Sequence, residues 1–464
     1  MPDHLLDPVL DPDKLLAKLD ELQREREQHP AEAELPADDY RQIRDALTSA
    51  TFRAETPSAA TVRVPGDHSR PPATIYLHPH IALSQFQSVI AYCFEAQAIA
   101  AGHLPPNDHG LRHWIDELKN RLRRFGPCDI RWIEPALLQL ATDLSQDKHA
   151  FVDGRPPTVP LGDRARVAIV GDWATGLPQA RNVARSIKAM LDATPVETEC
   201  HVIHLGDTYY SGTEEEYEHV YLPLWPVPAG SRTGSWSLTG NHDMYTGGHG
   251  YFKVLLGDSR FRAQDGCSYF CLGNDHWRFV GLDDSYTDPD VPSLAGSQIE
   301  WLSGLVAAEQ RPGTILLTHH QPFSAWEVVT SNLARLIGQA LGGKRIEAWI
   351  WGHEHRAAVY KPGIDYRDYH DFAQYTAIAG HGGVPNLVSG PAVVPPANAV
   401  DQRCLRWQNS DYYTVADDTW SYGGYAVVDI DRDTATIQFF TETGQPRTDA
   451  AGAPVAPDQL TRLQ

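Results

Sequence analysis

From Arg166 onward the chain alternates short β-branched runs with helical stretches, and five of those runs stop on polar residues of types able to bind metals or move protons. "RVAIV" runs into "GDWATG", "HVIHL" into "GDTYYSG", "WSLT" into "GNHD", "GTILL" into "THHQP", and "IEAWIW" into "GHEH". Between them lie two helical patterns. One is "ARNVARSIKAML", with Val183, Ile187 and Leu191 on one face, and the other is "SQIEWLSGLVAAE". Such alternation predicts an α/β layered fold. Further on, "YGGYAVVDI" and "ATIQFF" predict a hairpin turning near Arg432 and Asp433. In α/β sheets the ligand crevice lies outside the carboxyl ends of the strands, so residues far apart in sequence can converge there.

The residues at those ends are Asp172, Asp207, Asn241, His319, His353 and His355. Two carboxylates, an amide and three imidazoles make a mixed oxygen and nitrogen set, suited to Zn, Mn or Fe. The set is too large for one four-coordinate zinc; two metals sharing a bridging Asp fit it better. A single Gly-Asp pair is an ordinary turn. Five motifs in order, each after a strand, carry far more information.

The ordered set GD, GDxxY, GNHD, HH and GHEH resembles the calcineurin-like metallophosphoesterase superfamily, and within it is most similar to the purple acid phosphatase branch. The resemblance covers about Arg166 to Asp431. It implies a four-layer α/β/β/α sandwich with two metals held by strand-end loops, preceded here by an N-terminal helical domain. Carried over residue by residue, Asp172 and His355 bind the first metal and Asp207 bridges. Asn241, His319 and His353 bind the second, with His320 as the alternative to His319. The wider superfamily has D-x-H in its first motif, and Ala174 stands at that His position. The purple branch also lacks that His and uses a Tyr from GDxxY. Tyr210 has this spacing and is the expected seventh ligand, a phenolate that favours Fe(III) at the first site, with Fe, Zn or Mn at the second. Ala174 replaces the Gly usual after "GDW", and its methyl is placed to crowd the first metal.

The implied function is phosphoester hydrolysis, with a metal-bound hydroxide attacking phosphorus between two clamping cations. His242 faces the substrate, stabilises charge on phosphorus and protonates the leaving alkoxide. Asp243 is expected to orient the His242 ring. His249 and His381 lie in Gly-rich loops that border such a site, each more simply read as a loop residue. His201 and His204 are expected to be structural, and Asp283 and Asp284 to support a turn. A phosphomonoesterase is the leading reading. A phosphodiesterase acting on a nucleotide or phospholipid headgroup is the alternative, and a metal-binding scaffold without turnover is a third.

The remaining features bound these readings. A chain of 464 residues implies at least two domains. The Pro- and Gly-rich "DGRPPTVPLGD" divides a helical domain, residues 1–155, from a metallophosphoesterase domain, residues 156–464. In the first part, "DPDKLLAKLDELQRE", "LSQFQSVIAYCFEAQAIAAG" and "LRHWIDELKNRLRRF" are amphipathic helical patterns, suited to packing, a protein partner or self-association. Net charge of −21 argues against binding a nucleic-acid backbone. No apolar run approaches the ~20 residues of a membrane span. The N-terminus lacks the pattern of a secretory signal, and six scattered cysteines read as free thiols. A cytoplasmic location is the expectation.

Overall fold

A computed structural model describes residues 147–463, apart from 290, 308–311, 328, 330–331, 387–398, 416–417 and 450–451, together with positions 24, 139 and 142. The chain divides after Asp147, and the unit Lys148–Gln464 is the one described below. The helices expected before residue 126, and any partner surface on them, lie outside the described residues, as do Cys93 and Cys128. The division precedes the Pro- and Gly-rich stretch because that stretch is tied into the second unit. Asp153 accepts from the Ser297 and Tyr269 hydroxyls, Trp301 Nε1 donates to the Pro156 carbonyl, and Thr158–Pro160 pairs in parallel with Phe270–Gly273.

Two mixed sheets form the framework. The six-stranded sheet runs in the order Asp458–Leu460, Thr434–Thr441, Gly424–Asp431, Arg164–Val170, Glu199–His204, Gly234–Ser237. Its last three strands are parallel to one another and end on the "GD", "GD" and "GN" motifs. The eight-stranded sheet has Gly313–Thr318 and Ile346–Trp351 side by side and parallel at its centre, ending on "HH" and "GHEH". The expected hairpin is present, with Asp431 opposite Thr434 across the turn.

Three apolar cores explain the layering. One fills the space between the sheets, with Val167, Ile169 and Ile203 from one sheet facing Ile315, Leu317 and Ile350 from the other. Alternation along each strand sends the next residues outward. Ala168, Val170 and Val202 meet Ala180, Val183, Ala184 and Ile187 of the helix Pro178–Ala193. Leu316, Trp349 and Trp351 meet the helices Gln298–Val306 and Leu333–Leu341. The packing order is therefore helix, sheet, sheet, helix. Pro178 opens its helix where a missing N–H costs nothing. The helix Leu333–Leu341, not anticipated from the sequence, ends on Gly342 at φ +58°, a left-handed C-terminal residue. Cys200, Cys267, Cys271 and Cys404 are free, as expected. No helix among the described residues is long and apolar enough to cross a membrane.

Because both sheets are buried on both faces, their central strands should dominate stability. Ile350→Ala, in the inter-sheet core, is expected to cost about 2–5 kcal/mol, read as a lowered midpoint in urea denaturation.

Candidate metal centre

The loops after the parallel strands bring their polar residues to one place, on strained backbone. Asp172, Asp207, His353 and His355 all have left-handed φ, at 56°, 76°, 63° and 49°. Such a conformation costs a side-chain-bearing residue about 1–2 kcal/mol, and its clustering marks a functional site. Cross-loop hydrogen bonds hold it. Asp172 N–H donates to the Gly206 carbonyl and Gly352 N–H to that of His319, while His353 N–H donates to Asp172 Oδ2 at 2.8 Å.

Two donor sets result, joined by Asp207. In the first, Asp172 Oδ1 lies 3.5 Å from His355 Nε2. The Tyr209 hydroxyl stands 3.3 Å from Asp172 Oδ1, 3.0 Å from Asp207 Oδ2 and 2.8 Å from His355 Nε2. In the second, His319 Nε2 lies 3.4 Å from Asp207 Oδ1 and 3.0 Å from Asn241 Oδ1. His353 Nδ1 lies 3.1 Å from that amide oxygen and 3.2 Å from His319 Nε2. His319 Nδ1 donates to the Leu205 carbonyl, so its Nε2 presents a lone pair. Lone pairs of Asp207, Asn241 and His319 thus face one another with no proton between them, an arrangement that a cation relieves. The chemistry of both sets fits metal ions. Asp172, Asp207 and His355, and separately His319, His320 and His353, each bring ligand atoms within 4.8 Å of one another.

The electrostatics agree. Burial pushes His319 and His355 down to about 4 and His353 well below the usual imidazole range, so all three are neutral at neutral pH, the form that metal binding requires. Burial and the neighbouring Asp207 charge hold the Asp172 carboxyl well above its ordinary value. Asp207 is buried too, but sits among His319, His242 and His353 and is the carboxyl of the pair that ionises first. Burial, then the two carboxylates, push the Tyr209 phenol well above its usual range.

Three expectations need correction. The phenol in the first set belongs to Tyr209, not Tyr210. The Tyr210 backbone is anchored elsewhere, its N–H on the Glu216 carboxylate and its carbonyl on His242 Nδ1 at 2.7 Å. That carbonyl, rather than Asp243, orients the His242 ring. Asp243 instead accepts from the backbone N–H groups of Asp207, Thr208 and Gly240 at 2.8, 3.0 and 2.7 Å and from the Tyr217 hydroxyl. It clasps the second and third loops together; burial, then the charge of Asp207, raises its carboxyl to about 6. Third, the Ala174 side chain packs in the apolar core with Val170 and Trp173 and does not crowd the donor set.

The other singled-out residues take these places. His242 Nε2 stands 3.8 Å from Asp207 Oδ2, its ring between Tyr209 and Tyr245 at 4.5 and 4.9 Å. His320 adjoins His353, ring centroids 4.5 Å apart, and is anchored on Asp284 through both its backbone N–H and Nδ1. His381 is buried against Phe439, and His249 lies edge-on to His149. His201 receives a bond from Trp236, and His204 packs among Trp173, Tyr221 and Trp225. Asp283 accepts from Thr239 and Ser268. The sequence reading missed Tyr209, Tyr217 and Tyr245. Two adjacent tyrosines in "GDTYY" were the available signal for the first.

Residues 165–357 match the family model described as calcineurin-like phosphoesterase. No curated protein matches the chain. Among solved structures, the chain is similar to GAP50, the anchor in the inner membrane complex of Plasmodium, at 13% identity and a TM-score of 0.44, over 65% of this chain and 90% of that one. It is also similar to Vacuolar Protein Sorting 29 from Cryptosporidium parvum, at 9% identity and a TM-score of 0.30, over 64% and 99%. A predicted phosphoesterase from Streptococcus pneumoniae TIGR4 gives 11% identity and a TM-score of 0.26, over 64% and 98%.

Space at the Asp207 carboxylate is set by two glycines. Gly206 has φ +104°, and a Cβ there would meet Gly240 N at 2.6 Å; a Cβ on Gly240 would stand 2.1 Å from Asp207 Oδ1. Gly240→Ala should therefore displace Asp207 and lower the metal content of purified protein, measured by elemental analysis. Gly304→Ala, in open helix, should leave it unchanged.

Proposed function

We propose, because residues 165–357 match the calcineurin-like phosphoesterase model, that the protein is a dinuclear metal-dependent phosphoester hydrolase, acting on phosphomonoesters. The observation that carries this reading is the carboxylate of Asp207, one oxygen in each donor set, with His242 Nε2 beside it. Asp172, Asp207, Tyr209 and His355 would hold one cation and Asp207, Asn241, His319 and His353 the other. When bound, such a pair supplies Lewis acidity and an activated water for in-line displacement.

The chain's own residues do the rest. Asn241 contributes an oxygen without charge, which keeps the site open to an anionic phosphoryl group. His242 donates from Nδ1 to the Tyr210 carbonyl, so Nε2 is the atom that exchanges a proton with substrate. The Tyr209 and Tyr245 rings pack against it, with centroids 4.5 and 4.9 Å away. A scaffold without turnover has no use for an imidazole held this way. His242→Ala is expected to lower kcat by about 10²–10⁴-fold on an alkyl phosphate and less on an activated aryl phosphate, whose leaving group needs no proton. Metal content should stay that of the wild type.

Parallel assays on a monoester and a diester, each with Fe, Zn or Mn added, test the proposal. Faster monoester hydrolysis supports it, a preference for the diester moves it to a phosphodiesterase, and silence on both with metals bound sinks it. The phenol of Tyr209 beside Asp172 supports Fe(III) in the first set, as the purple acid phosphatase resemblance implies, although it stands one residue short of the GDxxY position. A visible phenolate-to-Fe(III) band should then vanish in Tyr209→Phe and persist in Tyr210→Phe; the opposite pattern would restore Tyr210 as ligand.

A further inference from the structure

Asn241 poses a problem that the carboxylate and imidazole ligands do not. The two ends of its side-chain amide have nearly the same shape, but only the oxygen can bind a cation. In the metal-free protein the wrong end has a ready partner. Turned over, the amide N–H groups would donate to His319 Nε2, whose lone pair is fixed by the bond from Nδ1 to Leu205. That orientation closes the second donor set.

The orientation observed is the open one, and one side chain supports it. Asn241 Nδ2 donates to the Tyr245 hydroxyl at 2.7 Å while Oδ1 faces His319 and His353. The two residues are one helical turn apart, at i and i+4, where side chains meet. Tyr245 is held independently of that bond, its ring packed against His242. With the hydroxyl present, the ligating orientation keeps an acceptor for the amide N–H. Without it, the buried amide N–H loses its acceptor, and only the turned-over orientation finds that N–H a partner.

We propose that Tyr245 is a positioning residue for the second cation, acting through Asn241 by accepting its amide N–H. The proposal rests on the dinuclear reading above. It extends that reading to a residue outside the ligand set, in the manner of groups that orient metal ligands from behind.

Calorimetric titration of metal-free protein with Mn(II) or Co(II), with elemental analysis of the product, tests it. Tyr245→Phe keeps the ring against His242 and deletes only the oxygen. It is expected to weaken uptake of one cation per chain by about 10–100-fold, in the range seen for ligand-orienting groups, and to leave the other unchanged. Tyr209→Phe should show the converse pattern. In the N241A background, Tyr245→Phe should change affinity no further, since its effect runs through Asn241. Equal weakening of both cations with a lowered Tm would mean a merely structural tyrosine. Two-cation uptake unaltered in Y245F, or a further loss in the N241A background, would also overturn the inference while leaving the dinuclear reading intact. Wild-type protein that takes up fewer than two cations would end both.

Discussion

The carboxylate of Asp243 binds no candidate ligand side chain, yet the site depends on it. It is fully buried and gives its oxygens to three backbone N–H groups and a phenol. Two of those N–H groups belong to Asp207 and Thr208 and one to Gly240, so a single side chain fastens together the ends of two neighbouring strands. Asp207 needs such a fastening, because its own backbone is left-handed and unstable in isolation. A charged acceptor serving several backbone donors makes strong bonds. Their strength is the natural source of the energy that offsets the strain. His353 N–H on Asp172 plays the same part across the two sheets, where it binds the ends of Arg164–Val170 and Ile346–Trp351 into one rigid floor.

Much of this was legible in the sequence because two rules compound. Parallel strands put their carboxyl ends on one side of a sheet, and polar residues after apolar runs cannot join the core. Asp172, Asp207 and Asn241 therefore gather at one end of the six-stranded sheet and His319, His353 and His355 at one end of the eight-stranded sheet. The structure shows alternation along a strand dividing residues such as Val167 and Ala168 between two cores on opposite faces. What escaped were choices settled by backbone direction within a loop. Tyr209 and Tyr210 are adjacent and chemically identical, and spacing alone assigns the second. The backbone after Tyr209 is held by Glu216, whose half-buried carboxylate takes the N–H groups of Tyr210, Ser211 and Thr213. Asp243 escaped for a similar reason. Its place beside His242 suggested a partner for that ring, but consecutive residues in a helical turn point about 100° apart.

The two donor sets differ in kind, and the difference bears on what they hold. The first has two carboxylates, a phenol and one imidazole, a hard oxygen-rich set suited to a trivalent or small divalent cation. The second shares one carboxylate and adds an amide oxygen and two imidazoles, a softer set of lower charge. Neutrality at Asn241 keeps the pair from gathering a third carboxylate, which under the proposed function would repel an anionic substrate. That same neutrality removes the electrostatic pull that would otherwise align a carboxylate with its cation. An amide ligand must instead be aligned by hydrogen bonds. On the proposed reading, a site that accepts anions by limiting its own charge relies on side chains such as Tyr245 for geometry, and Tyr245 lies one helical turn beyond Asn241, outside the motif that the sequence displays.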